Sequence, residues 1–510
     1  MKYLLGVDIG TYSSKGVLLS SEGELAAEAS VEHDLIIPQT GYAEHDAEHT
    51  WWGDFTTICR TILSAASHES VVAGDIVAVG VSGIAPCVLP VDRGGRPLRN
   101  AILYGVDTRA TAEIDTLNND LGIDWIREHA GTDLDSQSAG PKILWLRNHE
   151  PDVWEKTHAF MTASTYLAYR LTGACSIDHY TAAFYSPLYD LPGQDWNKRA
   201  VKRICPDKRL PKPAWATEVI GTVHSEASGA TGLAIGTPVV AGTADAATEA
   251  VGAGVTRPGD TMLMIGSSVF IITWTSELPS DGLFWSAPAL TPGPCAVAAG
   301  MATAGSVTRW FRDQLGGGAG AAQAADYQRL MEDAARIPPG AEGLLALPYF
   351  SGERTPISDP RARGVIAGLT LSHTRAHIYR ALLESVAYGV RHNLEALAES
   401  DVPTAALTAI GGGTKNPVWM QIFSDVLGRE ITVRHTAGAS FGDAILAAVG
   451  AGILPDLVHA KKWVPEGTVF RPGADEHRLY DSIYPDYLAL YTGTREIIHR
   501  LADQPERKLP

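Results

Sequence analysis

The chain has 510 residues, with 41 Lys and Arg against 58 Asp and Glu, a formal charge of −17. Hydrophobic residues make up 45% and charged residues 19%, the profile of a protein with a large packed core, which excludes disorder and collagen. An acidic chain with scattered Lys and Arg repels phosphate backbones, so a nucleic-acid partner is excluded as well.

At roughly 150 residues per domain, the length corresponds to about three domain-sized units or two large ones. The opening run, Met1 to Asp8, carries one cation and a short apolar stretch stopped by an acid, which is no signal peptide. The longest apolar stretch, 444–454, is too short to span a bilayer, which needs about 20 residues, so no membrane partner is expected. Five dispersed cysteines without a Cys-x-x-Cys pair fit thiols in a reducing compartment, and the cytoplasm is the expected setting.

Short apolar runs at 4–7, 76–81, 239–241, 262–265, 269–273 and 407–410 predict buried strands. They alternate with helix-like stretches, which predicts an α/β architecture. The Pro- and Gly-punctuated region 206–236 reads as a connector, and the main division is placed near 237–244. A Gly/Ala-rich loop at 315–325 leads into a helix near 327–335. A long helix is predicted over 377–397, where Ile378, Leu382, Val386, Val390, Leu394 and Leu397 form one apolar stripe.

One duplication carries chemical meaning. Residues 4–19, LLGVDIGTYSSKGVLL, read as strand, Gly-Thr/Ser turn, strand, and residues 262–273, MLMIGSSVFIIT, repeat the plan half a chain later. A hairpin tip of Gly plus Ser or Thr offers backbone N–H groups and hydroxyls without a bulky side chain to block an anion. Gly10, Thr11 and Ser13 in the first tip, with Gly266 and Ser267 in the second, are therefore candidates to clamp a polyphosphate between two lobes. Ordinary Gly-Ser hairpins are the competing reading of each tip taken alone.

Phosphoryl transfer needs one carboxylate to hold Mg²⁺ against the phosphates and another to accept the proton of the attacking hydroxyl. Asp8 ends the first strand directly before its turn and suits the metal role. Asp245 follows a strand-like run and opens a helix-like one, which suits the base, although an ordinary N-cap has the same signature.

Gly411-Gly412-Gly413-Thr414-Lys415-Asn416-Pro417 follows a strand, with Asn416 as N-cap and Pro417 as first helical residue. Bare glycine backbone suits a flat base, so Gly412, Gly413 and Asn416 are candidates to hold adenosine. A dinucleotide fingerprint is the alternative, with Glu430 near the ribose-binding distance, but Asn416 occupies the third glycine position. No Walker P-loop and no G-x-S-x-G elbow occurs. His45-Asp46-Ala47-Glu48-His49 matches the H-x-x-E-H zinc pattern, but no third ligand can be nominated, and a polar helix start before Trp51-Trp52 is preferred.

Together these segments resemble the FGGY carbohydrate kinases of the actin-like ATPase superfamily. The stretch 364–384 is similar to the second FGGY signature along its whole length, and Lys142 within 139–146 is a looser match to the first. GVDIGTYSSKG, PVVAGTADAATEAVGAG and GGGTKNPVWMQIFSDVLG resemble the family's first phosphate, catalytic-Asp and adenosine motifs, and PYFSGERTPISDPRARG resembles the xylulokinase branch.

The resemblance implies an ATP- and Mg²⁺-dependent kinase of a small sugar. It implies two RNase H-like lobes with a central cleft, 1–240 and 241–510, and a homodimer as one expected assembly. It implies Asp245 as catalytic base, Asp8 as the Mg-associated carboxylate and D-xylulose as the leading substrate. The alternatives are another ketose, an alditol or a sugar acid (ribulose, glycerol, erythritol or gluconate), or an actin- or chaperone-like ATPase without a sugar. Sugar contacts are expected at Ser82, Gly83, Asp107 and Asp245, Asp107 having a solvated loop charge as its competing reading. The sequence departs from the xylulokinase pattern in two places. Ala85-Pro86 stands where Met-His is usual, and Ala246 where Asn follows the catalytic Asp. Both losses remove polar groups, and a missing hydrogen-bond partner changes specificity by orders of magnitude.

Overall fold

The six apolar runs all form strands in a computed structural model that describes residues 1–68, 70–315, 323–435 and 438–503. These residues pack into two compact units. The first comprises Met1–Pro258, Trp274–Val297 and Thr436–Pro465, and the second Gly259–Thr273, Ala298–His435 and Glu466–Pro510. The boundary thus falls at 258, with later returns of the chain, rather than once at 240, and Asp245 belongs to the first unit.

In chain order the first unit builds β1 (Tyr3–Ile9), β2 (Ser13–Ser20), β3 (Leu25–Glu32), α1 (Gly53–Ser67) and β4 (Ile76–Gly83). There follow β5 (Val219–Thr222), β6 (Pro238–Val240), the two-residue β7 (Thr243–Ala244) and α2 (Asp245–Gly252). The sheet order is β5-β6-β4-β1-β2-β3, with β7 also paired to β4. The expected connector 206–236 therefore supplies an edge strand, β5, whose Val219-Ile220 pair is too short to show a period of its own.

The second unit builds β8 (Asp260–Ile265), β9 (Val269–Thr275), β10 (Cys295–Met301), α3 (Gly305–Leu315), α4 (Gln323–Ala335) and α5 (Arg375–Glu399). It continues with β11 (Ala406–Ile410), α6 (Pro417–Leu427) and β12 (Ile431–Val433). Helix α7 (Ala439–Gly450) then returns to the first unit, and β13 (Thr468–Phe470) joins the seven-stranded second sheet, in which β10-β9-β8-β11-β12-β13 are successive neighbours. Most of the expected loop at 315–325 lies outside the described residues. The α5 stripe is buried from Leu382 to Leu397, as the period demands, and Ile378 is half-buried.

The duplication read from sequence is a duplication of topology. In each unit an antiparallel hairpin, β1-β2 or β8-β9, has its first strand paired in parallel with a later one, β4 or β11. That is the RNase H-like, actin-like ATPase plan, two α/β units each carrying its turn at the same corner. In the first unit α7 lies directly on the sheet. A Cβ on Gly6 would sit 2.0 Å from the Ser440 carbonyl oxygen, and one on Gly80 2.0 Å from that of Asp443. Only glycine permits this approach, and it delivers Asp443 to the ends of β1 and β4. Among the described residues no helix is long and apolar enough to cross a membrane.

Candidate active site

The carboxylates of the first unit converge because of strand register. Asp8 on β1 pairs across to Ser82 on β4, and β7 extends the same register, with Thr243 opposite Ser82 and Ala244 opposite Gly83. Asp245 follows immediately as the first residue of α2. Asp178 fixes β7 by accepting from Thr243 Oγ1 at 2.7 Å. The N-cap of α2 is Ala244, so Asp245 is not spent on capping. Its Oδ1 accepts from the Ala246 amide at 2.7 Å, and Oδ2 has no partner among the described residues. Burial pushes the Asp245 carboxyl up to about 6.

Asp8 is 8% exposed, and burial, then the charge of Asp245, raises it well above the usual carboxylate range. Ser82 Oγ lies 3.0 Å from Asp8 Oδ1 and 2.7 Å from Asp443 Oδ2. One hydroxyl proton serves only one acceptor, so the second contact needs a proton on a carboxyl. Asp443 is that acid. It is fully buried, its Oδ1 has no partner among the described residues, and burial plus the Asp8 charge push it well up. A neutral Asp443 donates to Ser82, and Ser82 donates to Asp8. Glu249, one turn after Asp245 on α2, is raised to about 7 by burial and then by Asp245. Neither Asp443 nor Glu249 was nominated from sequence. The signal for Glu249 is its i,i+4 spacing from Asp245, whereas Asp443 is brought in from a distant part of the chain.

Both turns close alike. The Gly10 amide donates to the Ser13 carbonyl at 3.0 Å, and the Gly266 amide to that of Ser268 at 2.9 Å. In the second unit Gly266, Ser267, Gly412, Gly413 and Asn416 share one cavity of about 650 Å³. Asn416 caps α6 by accepting from the Trp419 amide at 3.1 Å, with Pro417 first in the helix. The sequence missed the rest of the lining: Thr308 and Arg309 from α3, Tyr327 and Met331 from α4, and Tyr379 from α5. Aromatic and thioether walls over a glycine floor suit a planar base. Glu430 instead pairs with Arg471 on the surface, which removes the support for a dinucleotide site.

Three expected sugar contacts are otherwise engaged. Ser82 is fully buried between two carboxylates, and a Cβ on Gly83 would sit 2.8 Å from Ala163 Cβ, so this glycine serves packing. Asp107 is fully buried, accepting from the Ala43 amide at 2.7 Å and from Arg109 Nη2 at 2.7 Å, with Glu44 on the same guanidinium. It is neither a solvated charge nor free to meet a ligand. Lys142 is also buried, its ammonium donating to the carbonyls of Leu103, Tyr104 and Ser136 at 2.7 Å each. It thereby holds Tyr104, whose hydroxyl lies 2.9 Å from Thr11 Oγ1. The zinc pattern does not converge, because His45 is buried while the His49 side chain is 86% exposed.

Residues 3–252 match the N-terminal domain of the FGGY family of carbohydrate kinases, and residues 261–451 match its C-terminal domain. The chain belongs to the FGGY family of carbohydrate kinases. It is 29% identical over 503 residues to a xylulose kinase of Bacillus subtilis, with 98% of each chain covered. It is 28% identical over 500 residues to a gluconokinase of the same organism, covering 96% of this chain and 95% of that one. The solved xylulose kinase from Rhodospirillum rubrum superposes with a TM-score of 0.90 at 32% identity, covering 98% of this chain and 100% of that one.

An FGGY kinase is a sugar phosphotransferase, and its chemistry calls for a hard cation. Among the described residues no three His, Cys, Asp or Glu side chains form a protein-only metal cage. Mg²⁺ does not need one, since it keeps several waters and takes one or two carboxylates plus substrate phosphates. Asp8, Asp245 and Glu249 supply only oxygen donors, each raised by burial and two of them also by a neighbour's charge, a strain that a divalent cation relieves. The residues present fit Mg²⁺.

Proposed function

We propose that this kinase transfers the γ-phosphoryl group of ATP to the terminal primary hydroxyl of a ketopentose, D-xylulose, giving D-xylulose 5-phosphate. The observation that carries the mechanism is Asp245, a carboxylate at a strand-to-helix junction with one free oxygen and a raised affinity for protons. Such a group accepts the proton of the attacking hydroxyl near neutral pH. The amides of Thr11, Ser13 and Ser267 hold the phosphates, with the hydroxyls of Thr11 and Ser13 beside them and Gly266 leaving room for their approach. Gly412, Gly413 and Asn416 hold the adenosine, with Tyr327 and Tyr379 as its walls. Asp8 would hold Mg²⁺, which would supply charge neutralisation on the phosphate oxygens. Asp443 and Ser82 orient Asp8, and Lys142 fixes Tyr104 beside the turn.

The choice of D-xylulose is supported by full-length similarity to xylulose kinases in sequence and in solved structure. One observation favours a second reading, a sugar acid or polyol. Ala85 and Pro86 stand where the xylulokinase pattern has Met-His, which removes the polar imidazole, and a gluconokinase is nearly as similar. ADP release measured with D-xylulose, D-gluconate and glycerol decides between them. A kcat/KM at least tenfold higher for D-xylulose supports the first reading. A preference for gluconate or glycerol replaces it.

A further inference from the structure

We propose that His33 and His45 are positioning residues of the first phosphate turn. They hold its carbonyls from behind, so that the Thr11 and Tyr12 amides face the phosphates of the nucleotide. The inference rests on the reading of 10–13 as a phosphate turn.

Three successive carbonyls of the turn are engaged. His33 Nε2 lies 3.1 Å from the Gly10 oxygen, and His45 Nε2 lies 3.1 Å from the Thr11 oxygen. The backbone amide of His33 donates to the Tyr12 oxygen at 3.0 Å. In a planar trans peptide the C=O of one residue and the N–H of the next point in opposite directions. Holding the Gly10 carbonyl therefore fixes the Thr11 amide, and holding the Thr11 carbonyl fixes the Tyr12 amide. Those two amides have no acceptor among the described residues. Two adjacent free N–H groups facing away from engaged carbonyls form an anion-binding nest.

The hydrogen bonds also set the state of the His45 ring. Trp51 Nε1, which can only donate, gives its proton to His45 Nδ1 at 3.1 Å, so His45 Nε2 carries the hydrogen given to Thr11. His45 stays neutral, because burial, then the neighbouring His33, lowers its proton affinity to about 4. His33 lies between the Gly10 carbonyl at Nε2 and Asp54 Oδ2, 2.8 Å from Nδ1. Ser14 Oγ donates to the same Asp54 oxygen at 2.7 Å. The two rings meet edge to face, with centroids 5.0 Å apart. The first histidine of the His45–His49 pattern thus has a task that requires no metal.

The second unit meets the same need with different donors. The Gly266 carbonyl accepts from the Gly305 amide at 2.9 Å, and the Ser267 carbonyl from those of Ala304 at 2.8 Å and Ser306 at 3.0 Å.

The test compares His45→Phe with His45→Gln, whose amide keeps a donor for Thr11. ATP and AMP affinities are measured by calorimetry, and the sugar KM by ADP release. His45→Phe lowers ATP affinity about tenfold and leaves AMP affinity and sugar KM within about twofold, and His45→Gln restores ATP affinity to within about threefold. Unchanged ATP affinity in His45→Phe, equal losses for ATP and AMP, or a Gln variant no better than Phe overturns the inference. If His45→Phe does not fold, Trp51→Phe frees the tautomer and lowers ATP affinity a few-fold, and no change there also overturns it. Gly10→Ala separates this inference from the reading beneath it, since its Cβ would sit 2.7 Å from the Ser13 oxygen. Full ATP affinity in Gly10→Ala overturns the phosphate-turn reading and the inference together. A loss in Gly10→Ala with none in His45→Phe overturns the inference alone.

Discussion

The two turns share a closure and differ in what stands behind them. In the second unit the carbonyls are held by backbone amides at the start of α3, where side-chain identity hardly matters. In the first unit two histidine side chains take the carbonyls. The surroundings diverge as well. The first turn adjoins a cluster of buried carboxylates, and the second opens on an aromatic-walled cavity. Duplication of a fold thus preserves backbone geometry at a corner and leaves each copy free to acquire its own surroundings, which under the proposed function serve proton transfer in one and base recognition in the other.

The sharpest way to break the second turn is Gly305→Val, because a Cβ there would sit 2.5 Å from the Gly266 oxygen. ATP affinity by calorimetry should fall about 100-fold, with the first unit unaffected. The next effect belongs to the first unit alone. With Asp245 at about 6, kcat/KM for the sugar should fall about tenfold per pH unit below about pH 6, and AMP affinity should not follow it.

Asp443 gives a smaller contrast. Asp443→Leu removes the donor to Ser82 and should lower kcat about tenfold, whereas Asp443→Asn keeps a donor and should stay within about twofold. A carboxyl whose proton affinity rises on folding adds stability at low pH and loses it as pH climbs through its folded-state value. Asp443→Asn should therefore raise Tm at pH 8 by a few degrees, with little gain at pH 4, as thermal denaturation would show. Smallest is Asn416→Ala, which loses the cap of α6 and should cost about 1 kcal/mol, or about 2–4 °C in Tm.

Features with a local signature were legible in the sequence. The hairpins, the α5 stripe and the Asn416-Pro417 helix start each follow from a few neighbouring residues. The places of Asp8 at the end of β1 and Asp245 at the start of α2 were legible because each adjoins a strand followed by a turn or helix, a position that makes them candidates for a ligand-binding edge. What escaped was long-range. Asp443 reaches Ser82 across 361 residues, and Asp107 looked available only because the Ala43 amide that it accepts from lies on a distant segment. The domain boundary escaped for the same reason, since a chain that returns to its first unit leaves no mark in local composition.

The central claim is a division of labour, with proton transfer in the first unit and the nucleoside held in the second. Asp245→Asn tests it on a single preparation, with kcat and ATP affinity measured side by side. The account predicts that kcat falls by about 10²–10⁴ while ATP affinity stays within about twofold. Near-normal turnover, or a loss of ATP affinity that matches the loss of rate, would contradict it.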